Sequence, residues 1–178
     1  PLGEKMRWWR FIVAHRRVIR AEQMRWIQRN SRPVSTSFLE EAKSVDSLDP
    51  MTTIGLYGLE YSDGDPFRWT HPLFVLRLES PRTSGLLILE TRNLSRQIQQ
   101  STISAAIASK AASKGDISVD KAGNIGLRIR KSAKVGREVA VAIAVPEIAE
   151  PETDTAPGRR LGLPLFSVRF VPDRPVPA

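Results

Sequence analysis

The sequence predicts a mainly β protein, an antiparallel β-sandwich of jelly-roll or immunoglobulin-like kind, preceded by one long cationic amphipathic helix. Three observations carry this reading. Beyond residue 52, apolar residues alternate with a period of two in short Val-, Ile- and Leu-rich runs separated by turn residues. No helical crossover separates most of these runs, and parallel strands would need one. Before residue 34 the period changes to three and four residues, and most of the net charge is concentrated there.

The helix is predicted over residues 6 to 29, which contain neither Pro nor Gly. Trp8, Phe11, Ile12, His15, Ile19 and Trp26 share one face at 100° per residue, with Arg7, Arg10, Arg17 and Arg25 roughly opposite. Asn30-Ser31-Arg32-Pro33 stops it, because the residue before proline is pushed out of the α region. Residues 1–34 hold nine basic and two acidic residues, so +7 of the net charge of +8 sits on this appendage and the remainder is almost neutral. The expectation is a docking helix, with Trp8, Ile12, His15, Ile19 and Trp26 facing a protein partner, a neighbouring portion of a longer parent chain, or the protein's own body. The Trp and Arg content also allows peripheral contact with an anionic membrane surface. Nucleic acid is disfavoured, since no recognition motif accompanies the basic helix.

A polar linker is expected over 35–50, a sandwich over 51–173 and a tail over 174–178. The strands are read as Thr53 to Glu60, Leu73 to Glu79, Gly85 to Thr91, Ile117 to Val119, Ile125 to Ile129, Val139 to Val145 and Leu163 to Val171, with a strand also beginning at "FRWT". Asp63-Gly64-Asp65-Pro66, Ser80-Pro81 and Lys121-Ala122-Gly123-Asn124 supply turns. Residues 93–115, rich in Ala, Ser and Gln, read as a short helix or a flexible excursion, and 146–160 as an exposed acidic loop.

With no cysteine there is no disulfide, thiol nucleophile or thiolate metal site, and the two histidines lie far apart in sequence. The longest apolar runs fall well short of the roughly 18 residues that cross a bilayer. The start at Pro1-Leu2-Gly3 rather than Met suggests a piece of a longer protein.

Asp63-x-Asp65 raises the question of a glycosyltransferase-type metal site. That motif belongs at the end of a strand in a helix-flanked parallel sheet, and no such setting precedes residue 60, so the stretch reads as a corner between two strands. No catalytic residue, metal ligand or cofactor is assigned.

"GLYGLEYSDGDPFRWT" and "GRRLGLPLFSVRF" (158–170) together resemble an accessory β-sandwich domain appended to bacterial glycosyltransferases and other proteins of cell-surface polysaccharide assembly. The shared features are Gly-x-Tyr-x-x-Glu, a polar Gly-bearing turn, Phe-Arg-Trp-Thr and a closing Arg-x-Leu-Gly, over roughly residues 54–172; the acidic residue often seen before the closing motif is replaced by Gly158. The resemblance implies a non-catalytic module that binds a glycan or positions a glycan-processing enzyme, in the bacterial cytoplasm or at its membrane periphery. The candidate carbohydrate-binding residues are Tyr57, Glu60, Tyr61, Arg68 and Trp69: aromatic rings against a sugar's apolar face, with Arg68 and Glu60 on its hydroxyls. The plainer expectation is that Trp69 fills the core and Arg68 pairs with Glu60. The alternative function is an adaptor of a larger assembly, including a virus-like particle, anchored by the helix.

Overall fold

The computed structural model describes residues 33–48, 53–92, 102–107, 110–131, 138–149 and 160–173. These form a mainly β protein whose strands pair antiparallel throughout. The helical turns named within them are short 3-10 turns, at Phe38–Glu40, Val45–Ser47 and Lys114–Asp116. The predicted helix and its residues Trp8, Ile12, His15, Ile19 and Trp26 lie outside the described residues.

In chain order the strands are β1 (Lys43–Ser44), β2 (Thr53–Ser62), β3 (Asp65–Glu79), β4 (Gly85–Glu90), β5 (Ser104–Ile107), β6 (Lys110–Ala111), β7 (Ile117–Val119), β8 (Ile125–Ile129), β9 (Glu138–Ala144), β10 (Ile148–Ala149), β11 (Arg160–Leu161), β12 (Pro164–Leu165) and β13 (Ser167–Pro172). One sheet runs β1-β13-β4-β8-β7; the other runs β12-β3-β9-β5-β6, with β2 also paired to β3; β10 and β11 form a separate pair. Val34 joins the edge of β3 through a parallel bridge to Leu78.

One apolar cluster draws on both large sheets. Phe74, Leu76 and Leu78 of β3 and Val139, Val141 and Ile143 of β9 meet Leu87 and Leu89 of β4, Ile125, Leu127 and Ile129 of β8, and Val168 and Phe170 of β13. Their alternation along each strand is what period-two patterning demands of a face turned to a core.

β3 and β9 depart from simple alternation. Leu73–Leu76 and Val139–Val145 are near-continuous apolar runs, and their intervening residues Leu73, Val75, Ala142 and Ala144 form a second buried cluster with Ile54 and Ala106. A strand buried on both sides reads as an unbroken hydrophobic run, which is what these two show.

Several expectations change in detail. Residues 35–48, read as a polar linker, contribute Leu39, Val45 and Leu48 to the core, and β1 pairs with β13 through Lys43 opposite Val168. Within the stretch expected as a helix or excursion, Ser104–Ile107 is a strand beside β9. Alanine favours helices intrinsically, but burial of Ile103, Ala105 and Ala106 overrides that weak preference. The run expected as one strand from Leu163 to Val171 is broken at Phe166, where the chain leaves β12 in one sheet and enters β13 in the other. Within the expected acidic loop, Ile148–Ala149 pairs with Arg160–Leu161.

Candidate functional site

The β2–β3 hairpin holds all five sequence-derived candidates. Ser62 opposes Asp65 across a two-residue loop, with Asp63 at φ 53° and Gly64 at φ 87°. Two successive left-handed residues make the tight turn whose twist suits a hairpin, and Asp-Gly is a favoured pair for it. The acidic corner is therefore a hairpin loop. Asp65 accepts an ion pair from Arg92, whose Nε also reaches Glu90 Oε1 at 2.6 Å. Among the described residues, no three His, Asp or Glu side chains gather as a metal site would require.

Behind the loop, Tyr61 faces Pro66, Glu60 faces Phe67 and Leu59 faces Arg68. The register then shifts twice, between Leu59 and Leu56 and between Leu56 and Ile54. Gly55, at φ 85°, sits in this irregular stretch; a Cβ there would stand 2.7 Å from the Leu73 carbonyl oxygen. Such bulges twist a strand and re-aim its side chains. Here the Tyr57 ring stacks on His71, with centroids 4.3 Å apart and planes 19° apart, and its hydroxyl donates to the Arg160 carbonyl at 3.1 Å. Burial lowers the His71 imidazole pKa from its ordinary value, because desolvation disfavours the charged ring.

Arg68 and Trp69 point to opposite sides of β3, as alternation requires. Arg68 donates through Nη1 to the Tyr57 carbonyl at 3.1 Å, and lies opposite Leu59, one position along from Glu60. Trp69 is half-buried; Phe67, two residues earlier on the same side, is the buried aromatic. The expectation that Trp69 fills the core is corrected in this respect. Tyr61 is 67% exposed near the hairpin tip.

The structure adds a row that sequence reasoning did not assemble. Trp69 meets Phe67 edge-on at 6.0 Å, Phe67 stacks on Phe166 at 5.3 Å, and the Arg92 guanidinium lies 4.5 Å over the Phe166 ring. Arg92 thus combines a cation–π contact with two carboxylates. Glu90 also accepts from the Ser167 hydroxyl at 2.6 Å. Burial pushes the Glu90 carboxyl up, but the bonds from Ser167 and Arg92 outweigh it and hold the group below its usual range. Phe166, Arg92 and Glu90 lie far from the hairpin in sequence, and no local pattern marks them as its neighbours.

The hairpin therefore presents two unlike sides. One carries Glu60, Phe67 and Trp69 and runs into the Asp65, Arg92 and Glu90 group; the other carries Leu59 and Arg68. Tyr57 is turned toward His71 and the strand at Arg160, which itself reaches Glu147 at 3.4 Å. At the far end of β3, a polar hollow of about 320 Å³ lies among Ser35, Ser37, Glu40, Glu79 and Arg82 over Phe170.

Fold and site together define a mainly β protein of antiparallel sheets with an aromatic and charged row along one long hairpin. No protein-family model matches the chain, and no curated protein matches it. Among solved structures it is similar to an acetyl xylan esterase, Est2A, from the rumen bacterium Butyrivibrio proteoclasticus, at 9% identity and a TM-score of 0.40. The match covers 76% of this chain and 34% of that one, and a likeness at this level carries no inference about activity.

Proposed function

We propose that the chain is a non-catalytic module whose two large sheets face each other as a sandwich, and whose β2–β3 hairpin binds a glycan of bacterial cell-surface polysaccharide or positions an enzyme that processes one. The shared apolar cluster supports the sandwich, because residues of both sheets contribute to it. One observation carries the ligand reading: half-buried Trp69 stands on one side of the hairpin with Glu60, next to the Arg92 group with its two carboxylates. An aromatic wall with a few fixed polar groups suits a sugar, whose ring offers C–H bonds on its faces and hydroxyls at its edge. A shallow site of this kind binds weakly alone and gains from repeated copies.

The test is calorimetric titration of the full chain with oligosaccharides cut from bacterial surface polysaccharides. Binding should appear and fall about tenfold or more in Trp69→Ala, the loss of roughly 1.4 kcal/mol or more expected when a stacking partner is removed. Circular dichroism should show the fold retained. No binding to any of the oligosaccharides would overturn the reading. Binding untouched by Trp69→Ala but lost in Arg82→Ala would move the ligand to the polar hollow and overturn the hairpin assignment.

A further inference from the structure

The polar hollow lies at the opposite end of β3 from the hairpin loop. The fold draws its wall together from separate stretches. Residues 35–40 enter beside β3 because the Val34 amide donates to the Arg77 carbonyl at 2.9 Å and the Glu79 amide donates to the Val34 carbonyl at 2.8 Å. The end of β3 and the connection to β4, residues 79–83, face them, and Phe170 of β13 completes the lining. At about 320 Å³ the hollow falls at the small end of the range in which ligand sites occur.

Its polar groups are left uncommitted in a way the rest of the molecule avoids. Ser80 keeps 3% of its surface, and its hydroxyl is buried without a hydrogen-bond partner. A buried hydroxyl so left is a standing cost, which a polar group arriving from the hollow would remove. Glu40, Glu79 and Arg82 line the same hollow, and among the described residues none of these three side chains is ion-paired or hydrogen-bonded. Elsewhere the arginines take up carboxylates: Arg77 holds Glu138, Arg92 holds Asp65 and Glu90, and Arg128 holds Asp173. Ser35 and Ser37 share one hydrogen bond at 2.8 Å, so one of their two hydroxyl protons is still to be donated.

We propose that the hollow binds a small zwitterion of the α-amino acid class, its ammonium on Glu40 and Glu79 and its carboxylate on Arg82 and the serine hydroxyls. Charge selects this class. Two carboxylates repel a plain anion such as phosphate, a plain cation leaves Arg82 unmatched, and a neutral sugar makes no use of opposite charges held apart. An ammonium has three donors and no acceptor, which two carboxylates and a hydroxyl oxygen satisfy. A carboxylate only accepts, and a guanidinium fork with hydroxyl donors answers it. The small volume favours a free amino acid or a very short peptide over a long chain. This site is separate from the hairpin, so the glycan reading and this one stand or fall independently.

The test is an NMR titration of the isotope-labelled full chain with each common L-amino acid and with dialanine, up to about 10 mM. For whichever ligand binds best, the N-acetyl form removes the ammonium and the amide form removes the carboxylate. At least one zwitterion should shift the amide signals of Ser37, Ser80 and Arg82 and leave those of Phe67 and Trp69 in place, with both blocked forms binding about tenfold more weakly or worse. Arg82→Gln should weaken the zwitterion about tenfold and leave the amide form unchanged, whereas Glu79→Gln should weaken the zwitterion and leave the N-acetyl form unchanged. Ser80→Ala should keep or raise the melting temperature of the free chain, since it removes an unpaired buried oxygen, yet weaken binding severalfold. Tighter binding of dialanine than of any single amino acid would identify a peptide end as the ligand. The proposal is overturned if no zwitterion moves these signals, if the blocked forms bind as well, or if the shifts centre on the hairpin.

Discussion

An arginine that keeps 2% of its surface must be held by something, and Arg77 is held by Glu138. Nε and Nη2 each donate to one carboxylate oxygen at 2.6 Å, a bidentate match of fork to carboxylate. The pair also resolves a conflict between neighbours, because Glu79 and Glu138 are directly opposed across β3 and β9. Like charges so placed destabilise a sheet unless a cation intervenes. Arg77→Ala should therefore cost about 2–4 kcal/mol, less than a fully enclosed pair would lose, since Glu138 keeps 36% of its side-chain surface. A urea titration should show a lower midpoint with an unchanged slope. Replacing both partners, as in Arg77→Met with Glu138→Leu, should recover much of that loss. A double variant no more stable than Arg77→Ala would show that packing, and not the lone charge, sets the cost.

At the level of the element, the β2–β3 hairpin was the most legible part of the chain. Asp63-Gly64 states the turn type locally, and the flanking runs state which side faces inward. The bulge behind it was not legible, because it depends on Gly55 lying against the Leu73 carbonyl, a contact across strands. That contact yields a comparison between two glycines with the same sign of φ. At Gly64 nothing lies within 4 Å of a built Cβ, so Gly64→Ala should cost only the strain of a left-handed residue, about 1 kcal/mol. Gly55→Ala adds a clash with backbone and should lower the melting temperature by roughly 5 °C or more, as about 2 kcal/mol does for a chain this size. Equal shifts for the two variants would show that the close approach at Gly55 relaxes without cost. β5 was misread for the opposite reason: its alanines speak locally for a helix, and only β9 alongside makes them a strand.

Over the whole molecule, what the sequence conveyed was the period of each run, and what it withheld was which runs meet. Alternation identified most strands of the two sheets, and the mainly β antiparallel character followed. Arg92 on Asp65, Phe166 on Phe67 and Val34 on Leu78 are encounters between distant positions, with no local mark in any of the residues concerned. The stretch before β2 shows this most plainly. Its polar composition reads as a tether, yet Leu39, Val45 and Leu48 are each almost wholly enclosed. Leu39→Ala should then cost about 2–5 kcal/mol, as deleting a packed leucine does, whereas a tether would tolerate it within about 0.5 kcal/mol. Thermal unfolding of that one variant decides between the two.

The position of β13 has a consequence for how the protein is made. Among the described strands it comes last in chain order, yet it lies between β1, which comes first, and β4. At roughly 5–20 residues per second, β4 waits several seconds or more with one edge open, because its partner has not been synthesised. Until residue 172 has cleared the exit tunnel, the nascent polypeptide carries an unpaired backbone margin that a chaperone must shield or a neighbouring polysome product can capture.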